Sequence, residues 1–247
     1  MTTRTIDVFN GDADGLCALH QLRLSDPADS ELVTGPKRDI SLLKRVNAGA
    51  GDRITVLDVA LSKNRDALDR LLEAGAQVRY FDHHQPGDIP VHPHFEPHID
   101  TDANVCTSLL VNQVLQGRHL AWAVAAAFGD NLADAARQAA VPLDLSADQL
   151  AQLQSLGECL NYNGYGETLD DLFFDPADLY RQMRPFADPF VFIAESLAYQ
   201  TLKTGYREDM ARAVAVSATE ARSAGRIFML PAEKWARRIS GVFGNQL

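Results

Sequence analysis

The sequence predicts an α/β fold, a mostly parallel sheet flanked by helices, and three observations carry that expectation. Short β-favouring runs recur in the first hundred residues, each followed by a helical pattern. Those runs end on aspartates. The second half of the chain, by contrast, has helical periodicity almost throughout.

The first run, Thr5-Ile6-Asp7-Val8-Phe9, alternates polar and apolar residues and meets Asn10-Gly11-Asp12-Ala13-Asp14-Gly15. Leu16, Leu19 and Leu22 then recur at helical spacing, so the loop delivers Asp12 and Asp14 beside a helix N-terminus. The order repeats at Arg53-Ile54-Thr55-Val56-Leu57, which ends on Asp58 and precedes Ser62 as an expected N-cap. Ala67, Leu68, Leu71 and Leu72 mark one helical face, and Gly75 stops the helix. Gln77-Val78-Arg79-Tyr80-Phe81 is a further strand running into Asp82-His83-His84.

Strand-helix-strand alternation implies a parallel sheet, in which ligand sites lie outside the carboxyl ends of the strands. Asp12, Asp14, Asp58, Asp82, His83 and His84 all fall there and are expected to converge. Residues 105–115 and 120–128 read as apolar helices, the second ending on Gly129-Asp130-Asn131. Helices are also expected over 149–156, 190–202 and 207–224, with an aromatic-rich, Pro-containing connection over 169–192. Residues 226–230 and 239–243 read as strands opening a small second domain. The expected division is 1–190 for the main domain, with its motifs in 1–135, then a helical connector over 191–225 and an incomplete C-terminal domain over 226–247.

Of the 247 residues, 46% are hydrophobic and 23% charged, no apolar run is long enough to cross a membrane, and the start is polar, so a cytoplasmic protein is expected. Cys17, Cys106 and Cys159 are widely spaced and odd in number, which fits reduced thiols better than disulfides. A net charge of -10 disfavours long nucleic acid and favours carboxylates gathered around divalent cations. Arg222, Arg226, Lys234, Arg237 and Arg238 stand against Glu233 alone in their stretch, reading as a solvated face or as an anion contact.

Each acidic residue also has a plain structural reading. Asp12 and Asp14 can cap a helix, Asp58 can be a loop residue, and Asp130 can belong to a helix-ending turn. His83 and His84 can form an exposed turn before Gln85-Pro86-Gly87. Together, histidines and converging carboxylates point to metal ligation. His92, His94 and His98 are read as an edge segment because prolines intervene, and His20 as a packed core residue. Thr107 and Ser108 touch a phosphate or cap their helix.

Asn10-x-Asp12-x-Asp14-Gly15, Asp58 after a strand, Asp82-His83-His84 and Gly129-Asp130 resemble, in order and spacing, the four motifs of the DHH phosphoesterase family. That family includes RecJ-like exonucleases, oligoribonucleases, cyclic-dinucleotide phosphodiesterases, and family II pyrophosphatases with exopolyphosphatases. The resemblance covers residues 1–135 and implies a Rossmann-like domain holding two divalent cations, manganese before magnesium. It implies Asp12, with Asn10, at the first ion, Asp14, His83 and Asp130 at the second, and Asp58 bridging. Asp82 would orient the histidines, and His84, with Thr107 and Ser108, would face substrate. The implied reaction is in-line attack by metal-bridged water on a small phosphorylated substrate, a nucleotide or a short oligonucleotide.

Two departures accompany it. Asn10 stands where many relatives carry histidine or aspartate, and the glycine-rich, histidine-containing motif of their C-terminal substrate domain does not appear before Leu247, so a shortened or reduced chain is an expectation. The alternative function is a non-catalytic nucleotide- or phosphate-binding module. Retention of clustered acids, which repel one another without a metal, weighs against it. A nicotinamide-dependent oxidoreductase is set aside because no G-x-G-x-x-G follows the first strand.

Overall fold

A computed structural model describes residues 3–222 and 225–247. Its centre is a five-stranded, wholly parallel sheet in the order β2-β1-β3-β4-β5, formed by β1 Thr5–Phe9, β2 Glu31–Val33, β3 Arg53–Leu57, β4 Gln77–Asp82 and β5 Phe95–Ile99. Period-2 alternation sorts the side chains. Ile6, Val8, Ile54, Val56, Val78 and Tyr80 pack on one face against α2 (Leu61–Glu73). On the other face Phe9, Leu57 and Phe81 join the larger core beneath α1 (Ala13–Ser25), α3 (Thr107–Val114) and α4 (Leu120–Gly129).

The helical half continues through α5 (Ala133–Ala140), α6 (Ala147–Gly164), α7 (Pro176–Met183), α8 (Pro189–Glu195) and α9 (Leu197–Val214). The helix expected over 190–202 is two helices. Ser196 leaves helical geometry and caps α9 by accepting from the Tyr199 amide, which a hydroxyl does more favourably than continuing a helix interior. The helix expected over 207–224 ends at Val214, and a two-stranded antiparallel hairpin, β6 Glu220–Arg222 with β7 Gly225–Ile227, follows; residues 223 and 224 of that expectation lie outside the described residues.

Residues 239–243 are not a strand. They belong to α10 (Lys234–Gln246), because Trp235, Ala236, Ile239, Val242 and Phe243 share one helical face, buried with Tyr162 and Ala213 of α6 and α9. The basic residues of this stretch serve the fold. Arg237 pairs with Asp171, Arg238 with Asp209, Arg222 with Glu220, and Lys234 donates to the Asp170 carbonyl. No described helix is long and apolar enough to cross a membrane.

At the other end of α2, Ser62 is not the cap. The helix starts at Leu61, whose amide donates to Asp82 Oδ2 at 3.2 Å, so a carboxylate from the next strand does what the local hydroxyl was expected to do. Gly75 does stop this helix, with a left-handed φ of 87° and the Ala76 amide donating back to the Leu71 carbonyl.

Candidate metal centre

Backbone bonds carry the parallel ladder past the strand ends. The Asn10 amide donates to Leu57, that of Asp58 to Phe81, and that of Asp100 to Asp82. The carboxyl ends of β1, β3 and β4 are thereby held side by side, and the acidic residues that follow them converge. Asp58 adopts a φ of 56°, in the left-handed region that costs a non-glycine residue energy but that aspartate tolerates best.

Asp14 is held with unusual completeness. It projects from the first turn of α1 onto the start of α3, where Oδ2 accepts from the Thr107 amide at 2.7 Å and Oδ1 from the Ser108 amide at 2.6 Å. Ser108 Oγ donates to the Asp14 carbonyl, and Thr107 Oγ1 to Asp58 Oδ1. Thr107 and Ser108, expected at a phosphate, are therefore wholly buried and turned toward Asp14 and Asp58. A carboxylate on a helix N-terminus is favoured electrostatically and fixed in direction.

Asp130 is positioned by the end of α4. Asn131 takes a φ of 63°, its amide donates to Phe128 and that of Leu132 to Ala127, the double closure of a Schellman motif with asparagine in place of glycine. A Cβ at Gly129 would collide with Ala13 and with the Gly157 backbone. Only glycine there lets α4 approach α1 and α6 closely enough to bring Asp130 to the strand ends.

His83 Nε2 lies 3.4 Å from Asp58 Oδ1 and 3.6 Å from Asp130 Oδ2. Two overlapping groups result, Asp14-His83-Asp130 and Asp58-His83-His84, in each of which one ligand atom per residue lies within 4.8 Å of the others. Carboxylate oxygens with one or two imidazoles suit manganese or magnesium, and no thiolate joins them. His84 is exposed, and Asp82, fully buried, accepts from its Nδ1 at 2.7 Å and from its amide. That hydrogen bond raises the His84 pKa above its ordinary value.

Electrostatically the cluster is short of positive charge. Burial first, then Asp12, Asp14 and Asp130, push the Asp58 carboxyl well above the usual range. Burial and Asp14 raise Asp130 to about 6. A bound cation would relieve both. Asn10 Oδ1 is buried with no hydrogen-bonding partner, a further oxygen without a cation or donor.

One member escaped the sequence reading. Lys37 follows the carboxyl end of β2, and its Nζ lies 2.6 Å from Asp12 Oδ2, 3.3 Å from Asp130 Oδ1 and 3.4 Å from Asn161 Oδ1. Burial raises the Asp12 pKa but Lys37 outweighs it, holding the carboxyl below the ordinary range. The available signal was Glu31-Leu32-Val33 running into Thr34-Gly35-Pro36-Lys37, a strand end like those before Asn10 and Asp58. His20, as expected, is packed, its Nε2 donating to the Phe186 carbonyl at 2.8 Å and its ring edge-on to Trp122. His98 lies on edge strand β5 beside Glu96, and His92 and His94 just before it, apart from the centre.

No protein-family model matches the chain, and no curated protein matches it in sequence. Among solved structures it is similar to exonuclease RecJ bound to manganese, at 17% identity and a TM-score of 0.45 over 85% of this chain and 64% of that one. It is also similar to RecJ in complex with Mn2+ from Thermus thermophilus, at 18% identity and a TM-score of 0.44, covering 85% of this chain and 36% of that one. An uncharacterized protein from Helicobacter pylori is similar at 13% identity and a TM-score of 0.38 over 99% of this chain and 80% of that one. The chain thus spans less than two thirds of the length of either RecJ structure.

Proposed function

We propose that this protein is a divalent-metal-dependent phosphoesterase that hydrolyses a phosphodiester or phosphoanhydride bond in a small phosphorylated substrate, a nucleotide or a short oligonucleotide. The observation that carries this reading is the convergence of Asp14, Asp58, His83 and Asp130 from four separate stretches of chain into two ligand groups that share His83. The order of the motifs that supply them, which resembles that of the DHH phosphoesterases, supports it.

Asp14, His83 and Asp130 would hold a divalent cation, manganese before magnesium, with Asp58 grouped beside them through His83. When bound, the cation supplies Lewis acidity toward a phosphate oxygen and lowers the pKa of water. Thr107 and Ser108 fix Asp14, and Asp82 fixes His84. With Nδ1–H directed at Asp82, His84 meets the substrate through Nε2 and gives a proton to the departing oxygen as water adds to phosphorus and the P–O bond breaks. The overall acidity of the chain favours short substrates, because tight binding along a polyanion needs many phosphate-neutralising cations.

The test is one panel of short oligonucleotides, cyclic dinucleotides, pyrophosphate and polyphosphate incubated with Mn2+. Turnover of at least one class is expected, and Asp58→Ala should lower it by at least about a hundredfold, roughly 2.7 kcal/mol of transition-state stabilisation. Metal bound without turnover of any member would favour a phosphate-binding module instead.

A further inference from the structure

The resemblance implies two metal ions, yet Lys37 stands where the first would bind. We propose that the centre takes a single divalent ion, held by the Asp14-His83-Asp130 group beside Asp58, and that the Lys37 ammonium is a tethered cation in place of the first. The inference rests on reading these residues as a metal centre.

The geometry around Asp12 is the first support. Its Oδ1 accepts from the Asp14 and Gly15 amides, both at 3.1 Å, as the N-cap of α1. Only Oδ2 is left for a cation, and Lys37 Nζ occupies it at 2.6 Å, a charge-assisted distance. The same ammonium reaches Asp130 Oδ1, whereas the opposite oxygen of that carboxylate faces His83. Asp130 thus links the two cation positions, one oxygen to each. Among the described residues Asp12 joins neither ligand group, although Asp14, two residues on, does.

The second support is that Lys37 is built into place. Its amide donates to the Gly164 carbonyl at 2.8 Å, at the end of α6, and its ammonium lies 5.6 Å from the centre of the Tyr165 ring. A Cβ at Gly11 would run into the Gly35 carbonyl oxygen, so the loop carrying Asp12 and the loop carrying Lys37 touch backbone to backbone. Asn161, buried on α6, closes the ammonium's coordination at 3.4 Å. The end of α6, the loop carrying Asp12 and the turn carrying Asp130 therefore aim this side chain, whereas a solvated lysine keeps its rotamer freedom. An ammonium in contact with Asp12 Oδ2 excludes a divalent ion from that oxygen by both volume and charge.

Metal stoichiometry decides the matter without reference to turnover. At saturating Mn2+ the intact protein should bind one ion per chain, with the hyperfine-resolved electron paramagnetic resonance spectrum of an isolated ion. Lys37→Ala should bind two and show the broadening of a coupled pair. Lys37→Arg, which keeps a cation, should remain at one. Lys37→Gln, which removes the charge at nearly the same reach, answers the question if the alanine variant does not fold. Two ions in the unaltered protein, or one in both neutral variants, would overturn the inference while leaving the metal-centre reading intact. No bound ion in the unaltered protein would overturn both.

Discussion

The two halves of one sheet treat buried charge in opposite ways. In the amino-terminal half, Asp7, Thr55, Arg79 and Glu96 stand in register across four strands. Arg23 reaches the fully buried Asp7 with two hydrogen bonds, Nε to Oδ2 at 2.8 Å and a terminal nitrogen to Oδ1 at 2.6 Å, and Arg79 meets Glu96. A cavity of about 410 Å³, lined by Arg23, Arg53, Arg79 and Glu96 among others, lies here. At the carboxyl ends, Asp12, Asp14, Asp58 and Asp130 crowd together, and one lysine meets Asp12 and Asp130. Charge that is complete within the chain holds a fold together. Charge left incomplete favours a bound cation, and that imbalance distinguishes the carboxyl end of this sheet.

The largest effect should come from breaking the complete half. Asp7→Ala strands the Arg23 guanidinium, whose side chain is only 9% exposed, and should cost about 3–5 kcal/mol in urea unfolding. Asp58→Asn in metal-free protein should do the reverse. It removes one of several crowded carboxylates, and asparagine accepts the same left-handed φ, so stability should hold or rise. Equal destabilisation by the two substitutions would erase the distinction between the two ends.

Burial alone needs its own control, and His20 provides it. It is 1% exposed, yet it is neither ion-paired nor clustered with acids. Burial lowers its pKa from 6.5 to about 4. Between those values the unfolded chain takes up a proton that the native protein refuses, so stability is full above about pH 6.5 and falls on acidification toward pH 4, by roughly 3 kcal/mol. Unfolding measured at pH 7 and pH 5 should show about 2 kcal/mol of that loss, and His20→Gln should flatten the difference. A histidine whose removal leaves the pH dependence unchanged would mean that burial imposes no such penalty in this core.

How much of this was legible depended on whether the cause was local. The strands ending in Asp58 and Asp82 announced themselves by β-favouring runs next to acids, and the strand before Asn10 by alternation, because a half-buried strand writes its own pattern. Lys37 did not, since three residues of β2 are too few to alternate and Gly35-Pro36 reads as a plain turn. What makes Lys37 matter is its meeting with Asp12, Asp130 and Asn161, all distant in sequence. Thr107 and Ser108 were read as touching a phosphate or capping their helix, because the partner of their amides, Asp14, is distant in sequence and meets them only when α1 is folded against α3. The 239–243 segment misled for a different reason. A five-residue apolar window hides a helical face that shows only when Trp235 and Ala236 are included.

The smallest expected effect tests whether position in the sheet or burial sets the worth of an ion pair. Arg79 and Glu96 occupy the same row as Asp7, 3.0 Å apart, but their side chains are 36% and 60% exposed. Water screens such a pair, and Arg79 also lies over the Phe81 ring at 4.8 Å, a contact worth about 0.5–1 kcal/mol at an exposed site. Arg79→Ala should therefore cost under about 1 kcal/mol, and part of that cost should disappear in about 1 M salt, where the screening length falls to ~3 Å. A loss comparable to that of Asp7→Ala would assign the strength of these pairs to their shared row rather than to exclusion of water, and the contrast between the two ends of the sheet would have to be redrawn around register.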